Sequence, residues 1–278
     1  MIEPFLAIVG GASAVLFSRQ VLSTYKLGFK EYLSLAFWMN CLIMLPFLYW
    51  MNNFSLVMLF KMPVLYMAGL ILTACIYNFF YFKGFAHERL SEVQSLMLLI
   101  PLFATGFAYA FYPVERHIVP VVMAIVATLF LVWAHVSHGH VKFTKNSIYV
   151  LIAVIFFGLE YVFMKKLLEV YNPFTLYFVR CFIIGVIFFF MWGVRYSSVK
   201  PKAWKYLVAA QVSYVIQFIA VFWSVEKNGI VLTNVVLNLI PVLVFTYSYF
   251  HYRDHPGWKK MLAGFVILIC IVIAQLYR

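Results

Sequence analysis

Ten apolar stretches, each about as long as a membrane-spanning helix, take up most of this chain of 278 residues. A helix needs about 20 residues to cross about 30 Å of hydrocarbon. The stretches are too long and continuous for the alternating strands of a membrane barrel. They predict an all-α integral membrane protein with ten transmembrane helices, at residues 4–24, 32–51, 63–82, 91–112, 117–136, 147–168, 174–194, 204–224, 229–251 and 257–277.

The composition also indicates that the chain is surrounded by lipid. Hydrophobic residues make up 65% of the chain and charged residues 11%, whereas soluble domains carry roughly 25% charge. The net charge is +12, but lysine and arginine occur singly or in small groups between apolar runs, as membrane-boundary anchors do. We therefore predict a multi-pass protein of the plasma (inner) membrane, in contact with lipid, with no cofactor and no nucleic-acid partner.

The chain also contains an internal repeat. Leu99-Ile100-Pro101 and Leu239-Ile240-Pro241 lie 140 residues apart at the centres of two apolar stretches, and a short turn with an acidic and a basic residue follows each. Two repeats are predicted, at 1–140 and 141–278, within one transmembrane domain. Because each holds five crossings, the second repeat should be inverted relative to the first, with a solute site near the bilayer midplane between them.

The order of several short motifs resembles the drug/metabolite transporter superfamily, specifically its EamA-type ten-helix members. The motifs are Phe85 to Ser91, Leu99 to Phe103, Val114-Glu115-Arg116, Phe157 to Lys166, Asn172 to Arg180, Lys227-Asn228-Gly229, Ile240-Pro241-Val242 and Arg253-Asp254. This chain departs from the family pattern at Glu160, where a small or uncharged residue is usual, and its first half has Phe37 where the second has Arg180. The resemblance implies transport of a small metabolite and cytoplasmic termini. The concentration of Lys and Arg in the odd-numbered loops instead predicts termini on the outside.

The leading functional hypothesis is a secondary active transporter, not an enzyme, which moves a small metabolite such as an amino acid or an amine by alternating access. A proton is a candidate coupling ion. Two alternatives stay open: a membrane-embedded enzyme and a lipid translocator, each acting on a lipid-linked substrate.

Glu160 is the first candidate functional residue, because a charged group within a span costs at least about 2.5 to 3.5 kcal/mol on insertion scales. It could couple transport to protons or bind a cationic group of the solute. Alternatively, Glu160 could form an ion pair with Arg180, which the sequence places at a matching depth on the next helix.

Amides form the second group of candidates. The 140-residue offset superposes Gln94 on Asn234, and Asn238 shares a helix face with Asn234. These side chains could line a central cavity or hydrogen-bond between packed helices. Further candidates on the third and eighth predicted helices are Tyr77, Asn78, Tyr81, Gln211, Tyr214 and Gln217.

Pro101 and Pro241 are predicted to kink their helices and to serve as hinges for alternating access. His135, His138 and His140, and the pair His251 and His255, have spacings at which imidazoles could bind zinc or copper. No cysteine or carboxylate completes a coordination shell nearby, so the prediction is that no metal binds.

Overall fold

A computed structural model describes residues 2–51, 64–88, 90–116, 118–135, 144–193, 199–252 and 258–276. In these ranges the chain forms twelve α-helices and no strand. The helices are α1 Ile2–Arg19, α2 Phe29–Met51, α3 Val64–His87, α4 Leu90–Met97, α5 Ile100–Phe111, α6 Ile118–His135, α7 Lys145–Leu168, α8 Pro173–Trp192, α9 Pro201–Asn228, α10 Ile230–Leu237, α11 Leu239–Tyr252 and α12 Trp258–Leu276. A π-helical segment, Gln20–Thr24, extends α1.

The all-α membrane fold predicted from the sequence is confirmed. Each predicted span corresponds to one helix or to a consecutive pair of helices. Five segments in the described part of the chain are long and apolar enough to cross a membrane by themselves: α1 with its extension, α3, α7, α8 and α9. Large apolar side chains such as Phe5, Leu65 and Phe190 are exposed on the outer surface of the bundle, where lipid would cover them.

Two predicted spans are each broken into two helices near a Leu-Ile-Pro motif. The helix α4 ends at Met97 and α10 ends at Leu237, in each case four residues before the proline. A proline ring clashes with the carbonyl group of the residue four positions earlier and removes one backbone donor. The chain then makes tighter bonds at the break, such as Leu99 N–H to Leu96 O at 3.0 Å and Asn238 N–H to Val235 O at 3.3 Å.

The most extensive helix contacts join the first half of the chain to the second. The helix α1 packs along α9, and α3 packs along α7; α2 faces α8, and α6 faces α12. Glycine allows the close approach, because a Cβ atom added at Gly10 would lie 3.0 Å from the backbone of both Ser213 and Gln217. Small residues at such contacts let membrane helices pack backbone against backbone.

Candidate functional site

A cavity of about 70 Å³ lies where the two broken spans meet. We call it the central cavity. The breaks bring the ends of four helices to it, and α1, α3, α7 and α9 form its remaining walls. Its lining residues are Val15, Tyr77, Tyr81, Gln94, Met97, Ile100, Pro101, Phe157, Tyr161, Tyr214, Gln217, Phe218, Val221, Asn234, Leu237, Asn238, Ile240 and Pro241.

Many of these lining residues occupy equivalent positions in the two halves. The 140-residue offset that relates the Leu-Ile-Pro motifs also relates further pairs of residues on the cavity wall. The pairs are Tyr77 with Gln217, Tyr81 with Val221, Gln94 with Asn234, Met97 with Leu237, Ile100 with Ile240, and Pro101 with Pro241. A space bounded by both members of each pair lies between the two halves of the chain.

Four residues that line this space each carry a polar atom without a hydrogen-bond partner in the described part of the chain. These atoms are Gln94 Nε2, Tyr161 Oη, Gln217 Oε1 and Asn234 Oδ1. Asn234 uses only its Nδ2 group, which donates to Ile230 O at 2.9 Å. A buried polar group left unpaired costs free energy, so the cavity offers both a donor and acceptors to a polar occupant.

A second, smaller space of about 20 Å³ lies beside the central cavity. We call it the inner chamber. It shares the aromatic side chains Tyr77, Tyr214 and Phe218 with the central cavity. The other lining residues are Tyr32, Ala36, Phe37, Asn40, Asn78, Phe82, Tyr177, Arg180 and Gln211.

Glu160 and Arg180 form a buried ion pair. Arg180 Nε donates to Glu160 Oε1 at 2.7 Å, and the side chains are 3% and 1% exposed, respectively. Arg180 also lies over the ring of Phe218, with its Cζ 5.0 Å from the ring centroid. The pairing that the sequence left open is thus present, although one oxygen of Glu160 and Nη2 of Arg180 have no partner among the described residues.

The structure brings together most of the residues that the sequence singled out. Gln94, Asn234, Asn238, Tyr81, Tyr214 and Gln217 line the central cavity, as do Pro101 and Pro241. Asn78 and Arg180 line the inner chamber instead. Glu160 lines neither space; it borders a narrow cleft that shares Phe157, Tyr161 and Phe218 with the central cavity.

Sequence reasoning missed the aromatic residues Phe157 and Tyr161 and the amide of Asn40 as wall residues. Tyr161 directly follows Glu160, and Phe157 lies one turn earlier on the same helix, so the spacing around Glu160 is the signal that could have identified both. The 140-residue offset superposes Asn40 on Arg180. That correspondence was available in the sequence.

A further missed residue is Glu115, in the turn after α5. Its carboxylate accepts hydrogen bonds from Ile230 N–H at 2.9 Å and Val231 N–H at 3.4 Å, the first residues of α10, and forms an ion pair with Lys165. Gly229, at φ +82°, leaves room for the carboxylate. Glu115 therefore caps a helix of the other half, where a negative charge stabilises the free N–H groups.

No histidine is among the described residues that line the central cavity or the inner chamber. His135 is the last residue of α6 and His251 lies in α11, while His138, His140 and His255 lie outside the described residues. Among the residues that the structure does describe, no cluster of His, Cys, Asp and Glu could hold a metal ion.

Helices of this length and apolarity, packed around a polar cavity, define a multi-pass α-helical membrane protein. Residues 144–275 match the model of the EamA-like transporter family. The match covers most of the second half of the chain, and the resemblance to the drug/metabolite transporter superfamily is confirmed. Proteins of this family carry small solutes across membranes, so the chain is a membrane transporter of small solutes.

The fold has solved relatives. One crystal structure matches with a TM-score of 0.79 and 17% sequence identity, over 99% of this chain and 96% of the other. At this identity the likeness shows the fold alone. No curated protein matches the chain by sequence.

Proposed function

We propose that this protein is a secondary active transporter that moves a small metabolite, such as an amino acid or an amine, through the central cavity by alternating access. One observation carries the proposal: equivalent residues of the two halves line a single cavity at the breaks of two spans. Secondary transporters bind their solutes at such a place, between repeats and beside discontinuous helices.

The helix packing supports two inverted repeats, 1–140 and 141–278. The contact of α1 with α9 has a counterpart in the contact of α7 with α3, as exchange of the two halves requires. The pairs α2 with α8 and α6 with α12 each join one helix to its own equivalent. Five crossings in each half would place the halves in opposite orientations, with the central cavity on the axis that relates them.

The two proline breaks are the proposed bending points. A continuous helix resists bending because each turn is held by its own hydrogen bonds, whereas the breaks before Pro101 and Pro241 leave some backbone groups without regular partners. A bend at one break would widen the central cavity toward one side of the membrane, and a bend at the other break would widen it toward the opposite side.

The cavity wall indicates what kind of solute fits. Gln94, Gln217 and Asn234 each carry one polar atom without a partner in the described part of the chain. Tyr77 and Phe157 stack with their ring centroids 4.3 Å apart, so they present an aromatic surface beside those amides. Such a wall suits a small polar solute with a ring or an ammonium group.

Glu160 is the proposed proton-coupling residue, because it is a buried carboxylate next to the central cavity and one of its oxygens has no partner in the described residues. The proposed location is the plasma (inner) membrane. Uptake into proteoliposomes with and without a pH gradient tests the coupling. A Glu160→Gln variant should still bind the solute and lose the effect of the gradient; a gradient effect that persists would refute this role.

The cavity itself is tested by solute uptake into proteoliposomes with Gln94→Leu, Asn234→Leu and the double variant. Losing one hydrogen bond should weaken apparent solute affinity about 2- to 10-fold, and the double variant should lose more. Thr246→Val, which changes an exposed hydroxyl away from the cavity, is the control. Unchanged uptake by a folded double variant would refute the site.

A further inference from the structure

Arg180 lines the inner chamber and has one guanidinium nitrogen without a partner in the described structure. Its Nε atom is engaged by Glu160, but Nη2 is buried and has no hydrogen-bond partner in the described part of the chain. The side chain is only 1% exposed. A guanidinium N–H forms its strongest hydrogen bonds with anionic oxygen, and a buried donor without a partner is costly.

The two ends of the ion pair border different spaces. Arg180 lines the inner chamber, whereas Glu160 lines the cleft beside Tyr161 and Met164. Phe218 borders both spaces and lies under the guanidinium. The pair is neutral as a whole, but it presents its positive end to the inner chamber.

The remaining wall of the inner chamber carries no charge. Its other polar groups are hydroxyls and amides, and no carboxylate is among its lining residues in the described structure. Two amide oxygens, Asn40 Oδ1 and Gln211 Oε1, also have no partner there. The volume of about 20 Å³ compares with roughly 10 to 15 Å³ for one water molecule. The chamber therefore has room for one small polar group and excludes a whole metabolite or a phosphate.

We propose that the transported solute carries a carboxylate and that Arg180 binds this carboxylate in the inner chamber through Nη2, while the rest of the solute occupies the central cavity. This inference rests on the proposed function and narrows its substrate class. An ammonium group at the same place would meet the positive end of the ion pair and be repelled.

The central cavity complements such a solute. It offers the amide oxygens of Gln217 and Asn234, which suit an ammonium group, and aromatic rings, which suit an apolar side chain. Tyr77, Tyr214 and Phe218 are the shared wall between the two spaces, so rotation of one of these side chains would connect them. An amino acid bound across this wall would satisfy Arg180 Nη2 on one side and the amide oxygens of Gln217 and Asn234 on the other.

The first experiment uses the unaltered protein and solutes that differ by one group. Uptake into proteoliposomes and thermal stabilisation in detergent are measured for the common amino acids and for their decarboxylated amines, with phenylalanine and phenethylamine as one such pair. We expect each transported amino acid to bind about 10- to 100-fold more tightly than its amine, the effect of one charge-assisted hydrogen bond.

The outcomes separate the two proposals. If amines are transported as well as amino acids, and the Gln94 and Asn234 variants lose this transport, the carboxylate inference is wrong. The proposed function is then still supported. Failure of every solute in the panel would overturn both. A strict preference for the carboxylate would support both.

The second experiment assigns the preference to Arg180. The double variant Glu160→Gln/Arg180→Gln removes both charges together and should reduce the ratio of amino-acid to amine affinity to near one. Glu160→Gln alone leaves the guanidinium without its counter-ion and should increase that ratio. If the double variant does not fold, Asn40→Leu fills the inner chamber without touching the ion pair and should also lower the ratio. An unchanged ratio in a folded variant of either kind would show that the chamber holds water only.

Discussion

Phe37, on α2 in the first half, and Arg180, on α8 in the second, both line the inner chamber. Phe37 is buried against Phe188, with ring centroids 5.7 Å apart, and Arg180 is buried against Glu160. The two halves thus build the same wall from an apolar ring on one side and an ion pair on the other. The repeat determines which helices line the inner chamber. The sequence differences between the halves determine which chemical groups line it.

The largest effect should come from breaking this asymmetry at Arg180. Arg180→Gln leaves Glu160 as a buried charge without a partner, which we expect to lower the free energy of unfolding by about 3 to 5 kcal/mol. The change Phe37→Leu on the other wall removes only part of a ring and should cost about 1 kcal/mol. Thermal unfolding in detergent measures both. Recovery of stability in Glu160→Gln/Arg180→Gln is the control, and equal losses at the two positions would contradict the comparison.

Two glycines, one in each half, provide the next test. A Cβ atom at Gly158 would lie 2.9 Å from the backbone nitrogen of Ala104, which cannot move aside, whereas at Gly11 it would meet the side-chain ends of Gln217 and Ile240. Gly158→Ala should therefore destabilise the protein by about 1 to 3 kcal/mol. Gly11→Ala should cost less stability but displace Gln217 and weaken solute binding.

Thermal unfolding and uptake together distinguish the two glycine variants. Gly106→Ala is the control, because a Cβ atom there would meet nothing within 4 Å. The opposite order of stability losses at Gly11 and Gly158 would be inconsistent with the packing described for the two halves.

A third test concerns the carboxylate of Glu115, which caps the start of α10. Gly229 and Gly193 share nearly the same backbone conformation, with φ and ψ of 82° and 174° and of 71° and 176°. Alanine in this region costs about 1 to 3 kcal/mol at either position. Gly229→Ala should cost more than Gly193→Ala, because its methyl group would also collide with the Glu115 carboxylate, while Gly193 has open space.

Unfolding of the two variants in detergent, alone and combined with Glu115→Ala, measures that difference. The excess cost at Gly229 should shrink once Glu115 is removed. Identical losses in all backgrounds would mean that the carboxylate does not hold the start of α10.

The smallest effect should follow from making the halves more alike at the central cavity. Asn238 lines the cavity where the first half has Leu98, which is buried in an apolar cluster with Ile8, Val235 and Val236. Asn238→Leu should weaken apparent solute affinity about 2- to 10-fold without loss of stability. Leu98→Asn should instead lower the free energy of unfolding, because an amide would enter the apolar cluster. Uptake and thermal unfolding are measured for both variants. A loss of stability in Asn238→Leu, or a loss of affinity alone in Leu98→Asn, would contradict the prediction.

Much of the fold followed from the sequence because apolar length and the Leu-Ile-Pro repeat are local signals. The ten spans could be placed from hydropathy alone, and the 140-residue offset superposed Gln94 on Asn234, which left a shared cavity and helix packing both open. The prolines also marked the two breaks, although a kink was expected and a separation into two helices was found.

Other features depend on distances between segments far apart in the sequence. No local pattern assigns Arg180 to the inner chamber rather than to the central cavity, because the difference depends on which side of Phe218 the guanidinium lies. The role of Glu115 was also hidden, since the helix that it caps begins more than a hundred residues later.

The pairing of α1 with α9 and of α3 with α7 has a consequence for the synthesis of the protein. When α1 leaves the ribosome, the helix that will cover its glycine face has not been made, and the chain from residue 20 to residue 200 must come first. At ~5 to 20 residues per second this takes about 10 to 40 s. During that interval the newly made helices contact lipid or each other. The final packing therefore forms only after helices of both halves have been made, and the first half does not complete its packing before the second.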